Sequence, residues 1–100
     1  MPYVRISIAR PRPGQKERLE ELQAQIAAFN AKQPGCQQAW VLHPHDDSGD
    51  IARVSIWDGE AAAEQAANTD EMMSLRSEVN LAAQEGRHTE RAFSDRPHET

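Results

Sequence analysis

The chain has 100 residues, enough for one domain, and only 38% of them are hydrophobic, at a mean hydropathy of -0.78. A net charge of -5, a pI near 5.3 and no basic cluster beyond Arg5, Arg10 and Arg12 argue against a nucleic-acid surface. No apolar run reaches the ~18 residues of a membrane span, and the single cysteine, Cys36, cannot close an intrachain disulfide, so a reducing, cytoplasmic setting is expected.

From Tyr3 to Ala9 the residues alternate as a strand, with Val4, Ile6 and Ile8 on one face and Tyr3, Arg5 and Ser7 on the other. No signal peptide is visible ahead of it. Arg10-Pro11-Arg12-Pro13-Gly14 breaks that pattern. Gln15 to Lys32 reads as a helix whose stripe is Leu19, Leu22, Ile26 and Phe29, ended by Pro34-Gly35. Cys36 to His43 is a second strand, with Trp40 and Leu42 on one face and Ala39 and Val41 on the other. His43 to Asp50 is a polar hairpin loop. Ile51 to Trp57 is a third strand, with Ala52, Val54 and Ile56 opposite Arg53, Ser55 and Trp57.

Asp58 is placed to cap the following Ala-rich helix. Asn68-Thr69-Asp70 marks a break and a restart, after which Met72, Leu75, Val79 and Ala82 form a stripe and Gly86 is the expected stop. Arg87 to Phe93 is a fourth, weaker strand. The order βαββαβ predicts an α+β, ferredoxin-like sandwich: a four-stranded antiparallel sheet with helices on one face. The predicted domain spans residues 1–93, and 94–100 has the composition of a mobile tail. Val4, Ile6, Ile8, Val54 and Ile56 are expected beneath the helices. The open face then carries Tyr3, Arg5, Ser7, Trp40, Leu42, Arg53, Ser55 and Trp57, and its two tryptophans make a sticky patch that a homodimer would close, leaving a cavity at the open sheet face with room for a small ligand.

These elements resemble those of the antibiotic biosynthesis monooxygenase family over residues 3–93. The resemblance rests on the first strand with Pro13-Gly14 and its helix, on Pro34-Gly35-Cys36, on the Asp/Ser/Gly hairpin, and on Ile56-Trp57-Asp58 entering an Ala-rich helix. It implies a dimeric α+β barrel, and for Trp57 a place in the pocket wall. Members of that family include small oxygenases that oxidise anthrone- or naphthol-like molecules without metal or flavin, proteins that bind or degrade heme, and proteins without an assigned reaction. Many carry a histidine about nine or fourteen residues past that tryptophan, where this chain has Ala66 and Asp70-Glu71, and no histidine lies between His45 and His88. That departure counts against a heme protein of that type, removes an obvious acid–base residue for other family chemistry, and favours a non-enzymatic binding module, which stands beside the leading reading of a cofactor-free oxygenase.

The candidate site follows. Trp57 can stack on a planar aromatic ligand, or be a core or interface aromatic. Trp40 is expected on the same face, as a second wall or as structure. Arg5 and Arg53, on adjacent strands, can hold a phenolate, enolate or carboxylate, or pair with Glu90 or with another acid. Tyr3, Ser7 and Ser55 can supply hydrogen bonds, and Met73 can face the pocket or a dimer seam. With no partner histidine at matching strand spacing, Ser7 and Ser55 are not expected to be nucleophiles. His88, sharing a face with Glu90, is the acid–base candidate. His43, His45, Asp46 and Asp47 read as a solvated loop rather than a metal site, and Cys36 as a buried, inert thiol. The expected ligands are a small aromatic molecule and dioxygen, with no cofactor.

Overall fold

A computed structural model describes residues 2–94. The elements are β1 (Tyr3–Pro11), α1 (Lys16–Ala31), β2 (Cys36–Leu42), β3 (Ile51–Trp57), α2 (Glu60–Ala67), α3 (Asp70–Ala82) and β4 (Ala83–Ser94). The strands form one antiparallel sheet in the order β2-β3-β1-β4. This is the ferredoxin-like order, with its second helix split in two. The split falls where the sequence places it: the Thr69 hydroxyl accepts from the Met72 amide at 3.2 Å and restarts the chain as α3.

The stripe of α1 does what its spacing predicts. Leu19, Leu22 and Ile26 are fully buried with Ala9, Ile51, Met72, Val79 and Ala82, and Phe29 packs against them. A second cluster joins Tyr3 and Trp57 to Ala63 and Ala66 of α2. Gly35 sets how close α2 comes to the sheet. Its φ is +84°, and a Cβ there would lie 2.6 Å from that of Ala62. The Gly35 carbonyl accepts from the Asp58 amide at 2.8 Å. The Asp58 side chain does not cap α2 as expected. Its Oδ1 accepts from Gln37 Nε2 at 2.9 Å, and Gly59 stands at the cap position without a side-chain bond.

The two sheet faces are the reverse of the expectation. Tyr3, Ser7 and Ala9 on β1 and Ile51, Arg53, Ser55 and Trp57 on β3 are buried beneath the helices. Val4, Ile6, Val54 and Ile56 are half-buried on the open face, where Ile8 is exposed. Alternation separates a strand into two rows but does not say which row a helix covers. Here the helices close tightly over Ala9 and Ile51 at one end of the sheet and over Trp57 at the other. Over the polar rows they present small residues such as Ala63 and leave a cavity, whose polar groups satisfy one another. Trp40 pairs with Val54 and so lies on the open face at 46% exposure, away from Trp57.

The last strand is longer than predicted. The α3 helix ends at Ala82, and β4 begins at the next residue. Gly86, at φ +75°, therefore does not stop the helix. It sits within β4 where the register with β1 shifts between Ala9 and Pro11. Ser94 closes β4, and the rest of the predicted tail lies outside the described residues.

Candidate functional site

The helix-facing rows of β1, β3 and β4 form the floor of a cavity of about 370 Å³, within the usual ligand-pocket range of ~300–1,000 Å³. Its floor is laid out by the pairing register. Arg53, Ser7 and Glu90 make one rung, Ser55, Arg5 and Ala92 the next, and Trp57 and Tyr3 the third. The helices supply the walls, with Asn30 from α1, Ala63 and Glu64 from α2, and Met72 and Arg76 from α3. The cavity therefore lies between the sheet and its helices, inside the protomer, and not at the open sheet face.

Arg53 is the most enclosed cation of this floor, with its residue 9% exposed. One guanidinium nitrogen donates to the Gln23 side-chain oxygen, and Gln23 Nε2 donates to the Ile51 carbonyl at 3.2 Å. The other nitrogen donates to Glu90 Oε1 at 3.1 Å, and Arg76 donates to Glu90 Oε2 at 2.7 Å. Burial pushes the Arg53 guanidinium down to about 10; Glu90 resists the shift and Arg76 adds to it. Arg53 is still charged at neutral pH. Three arginines, Arg5, Arg53 and Arg76, and two glutamates, Glu64 and Glu90, line this side of the sheet, so the charged lining is net positive.

Arg5 is half-buried and ion-paired to Glu64 of α2. Burial works against its charge, but the Tyr3 hydroxyl and Glu64 outweigh that and hold its pKa above the ordinary arginine value. Its guanidinium lies 5.6 Å from the Tyr3 ring centroid, within cation–π range. Trp57, 2% exposed, packs on Tyr3, Ala63 and Ala66, while its indole N–H donates to Ser55 Oγ at 2.9 Å. Trp57 is thus a core aromatic and a cavity wall at once.

His88 stands behind the floor. Its Nε2 lies 3.0 Å from Ser7 Oγ, its Nδ1 2.8 Å from Asn80 Oδ1, and its Nε2 3.7 Å from Glu90. Burial lowers its pKa below the ordinary imidazole value; Glu90 opposes this and the charges of Arg53 and Arg76 reinforce it. Strand spacing hides the Ser7 partner. Because the register places His88 opposite Ala9, two residues along β1 from Ser7, the contact is diagonal across the sheet.

Of the residues singled out in the sequence, Tyr3, Arg5, Ser7, Arg53, Ser55 and Trp57 meet in this cavity and His88 adjoins it. Trp40 and Met73 do not. Met73 is 56% exposed, and Met72, on the stripe, lines the cavity instead. Cys36 is only half-buried, and burial raises its thiol pKa. In the hairpin loop, Asp46 accepts from the Ser48 amide and His43 lies 3.9 Å from Glu20. No trio of metal-ligating side chains gathers among the described residues. Sequence reasoning missed Gln23, Glu64, Arg76 and Asn80. The last two had a signal, since Met72, Arg76 and Asn80 recur at four-residue steps along one side of α3.

A ferredoxin-like sheet roofed by helices over a polar, aromatic-walled cavity defines a class of small α+β proteins. Within that class, the family profile of antibiotic biosynthesis monooxygenase matches residues 1–76, and the chain belongs to that family. Among solved structures it is similar to Rv0793 from Mycobacterium tuberculosis, at 14% identity and TM-score 0.86 over 100% of both chains. It is also similar to SnoaB, a cofactor-independent oxygenase from Streptomyces nogalater. That match has 18% identity and TM-score 0.82, over 97% of this chain and 95% of that one. PA3566 from Pseudomonas aeruginosa matches at 21% identity and TM-score 0.81, over 96% and 95%. At such identities the likeness is one of fold. Comparison with curated proteins gave no sequence match. No helix among the described residues is long and apolar enough to cross a membrane.

Proposed function

We propose that this protein is a cofactor-independent monooxygenase acting on a small phenolic or quinol-like aromatic. The observation that carries the reading is a single cavity that sets the aromatic wall of Tyr3 and Trp57 beside the buried charge of Arg53. A planar substrate stacks on Trp57, out of water, with its oxygen toward Arg53 or Arg5. The cation favours the substrate anion, which is the form that can pass an electron to dioxygen. One oxygen atom then ends on the ring carbon as a carbonyl, and the other leaves as water with one hydrogen from that carbon and one from the substrate hydroxyl. Family membership and the fold shared with SnoaB support this reading.

The test is oxygen uptake without added cofactor across anthrones, naphthols and hydroquinones. Uptake above a heat-treated control is expected. Trp57→Ala should raise the Kd of a bound naphthol at least about tenfold, the ~1.4 kcal/mol scale of a lost aromatic contact. Unchanged affinity in a folded Trp57→Ala protein would overturn the placement.

A non-enzymatic binding module is the second reading. In its favour, Arg5, Arg53 and Arg76 are each already paired to a glutamate, so the site is satisfied without chemistry. It predicts naphthol binding with no oxygen uptake. A histidine-ligated heme fits poorly, because no histidine is among the residues lining the cavity. Two protomers are proposed to pair through their open aliphatic faces, leaving one cavity in each.

A further inference from the structure

We infer that Ser7, His88 and Asn80 form a proton relay that takes the hydroxyl proton of a bound phenol out of the cavity. The inference rests on the oxygenase reading and adds to it the step that makes the substrate anion. Arg53 can stabilise that anion but is itself a hydrogen-bond donor at neutral pH and cannot collect the proton. Of the two carboxylates in the lining, Glu90 is held by Arg53 and Arg76, and Glu64 by Arg5. Ser7 is the lining group with a basic side chain directly behind it.

The geometry gives each member one task. Ser7 lines the cavity, and its Oγ lies 3.0 Å from His88 Nε2, within hydrogen-bond reach for general-base transfer. Asn80 Oδ1, 2.8 Å from Nδ1, accepts the ring N–H there, which leaves Nε2 as the free acceptor. The substrate hydroxyl gives its proton to Ser7 Oγ as the Ser7 proton passes to Nε2. The products are a phenolate, an intact serine and an imidazolium, so charge and protons balance. Glu90, 3.7 Å from Nε2, favours the imidazolium. The His88 side chain keeps 17% exposure, through which the proton reaches water.

The groups facing His88 are Ser7 from β1, Asn80 and Arg76 from α3, Arg53 from β3 and Glu90 from its own strand. The relay works only with neutral His88. Its pKa is held below the ordinary 6.5, first by burial, so the acid limb of kcat/KM should fall below pH 6.5.

The experiment measures oxygen uptake with 1-naphthol from pH 5 to 10 in the wild type and in His88→Gln, Ser7→Ala and Asn80→Asp. His88→Gln and Ser7→Ala should lose about 10²-fold or more at pH 7. They should regain rate as pH approaches the ionisation of naphthol itself, and His88→Gln, which touches no substrate atom, should leave naphthol affinity little changed. Asn80→Asp, which sets a carboxylate on the ring N–H, should move the acid limb to higher pH. A His88→Gln rate equal to wild type at pH 7, or a loss equal at every pH, overturns the relay.

Should the wild type consume no oxygen, the oxygenase reading fails and the relay is read by binding alone. Bound 4-nitrophenol, followed by its visible absorbance, should then ionise at lower pH in wild type than in His88→Gln. An identical ionisation curve in both proteins overturns it.

Discussion

Arg53 is held by two acceptors of different kind. Glu90 answers its charge, and the neutral Gln23 amide fixes its direction while itself tied to the Ile51 carbonyl. Gln23 is wholly buried on α1. Gln23→Leu keeps much of the volume but strands a guanidinium N–H, and a buried unsatisfied donor costs about 1–3 kcal/mol. Urea unfolding should show a loss of that size, and a naphtholate probe should bind more weakly because Arg53 is no longer aimed. An unchanged unfolding midpoint would mean that Arg53 finds another acceptor. Arg5, Arg53 and Trp57 were legible as a group because they alternate in register along β1 and β3. Gln23 was not, because one glutamine among the polar residues of an amphipathic helix carries no mark of burial. What buries it is its position on the side of α1 that turns toward β3.

At the scale of the elements, the alternation and helical stripes name every strand and helix to within a few residues, except at β4, which starts four residues early. Assignment of the faces fails for a physical reason. Hydrophobicity ranks the rows of a strand, but here the more apolar row faces outward and the polar row floors a cavity. The junction of β2 with α2 shows how little slack that cavity has. Gly35 combines a left-handed backbone with a contact that leaves no room for a side chain against Ala62. Gly35→Ala must pay strain at positive φ and push α2 outward, and each such effect costs about 1–3 kcal/mol. Thermal unfolding should fall by several degrees or more, and the displaced α2 should loosen the packing of Ala63 and Ala66 on Trp57. A variant with the wild-type midpoint and unshifted Trp57 fluorescence would show that α2 has more freedom than this packing allows.

For the molecule as a whole, the open face is the feature a lone protomer leaves unexplained. Ile8, Trp40, Leu42 and Phe93 are each 40% exposed or more, on the same side as half-buried Val4, Ile6, Val54 and Ile56. A contiguous apolar sheet face on an otherwise polar chain is the mark of an interaction surface. A second copy matches it, since a two-fold axis sets one aliphatic face on another without any new sequence. The pairing differs from that expected of the sequence, in which two polar, aromatic faces enclosed a shared ligand. Here the apolar rows meet, and each cavity keeps its own floor on the reverse of the same strands. Ile8→Glu and Trp40→Glu both place a charge at an already exposed position, so a lone protomer should tolerate either. Sedimentation of the wild type at micromolar concentration should give a dimer. Either variant should sediment as a monomer with unchanged far-ultraviolet circular dichroism. A monomeric wild type, or a dimer indifferent to both charges, would assign the face to some other occupant. If the dimer does form this way, each β1 and β3 is packed on both sides. Ser7 and Arg53 then stand on strands that cannot bend away from the ligand, so the monomeric variants should bind naphthol more weakly although no substituted residue touches it.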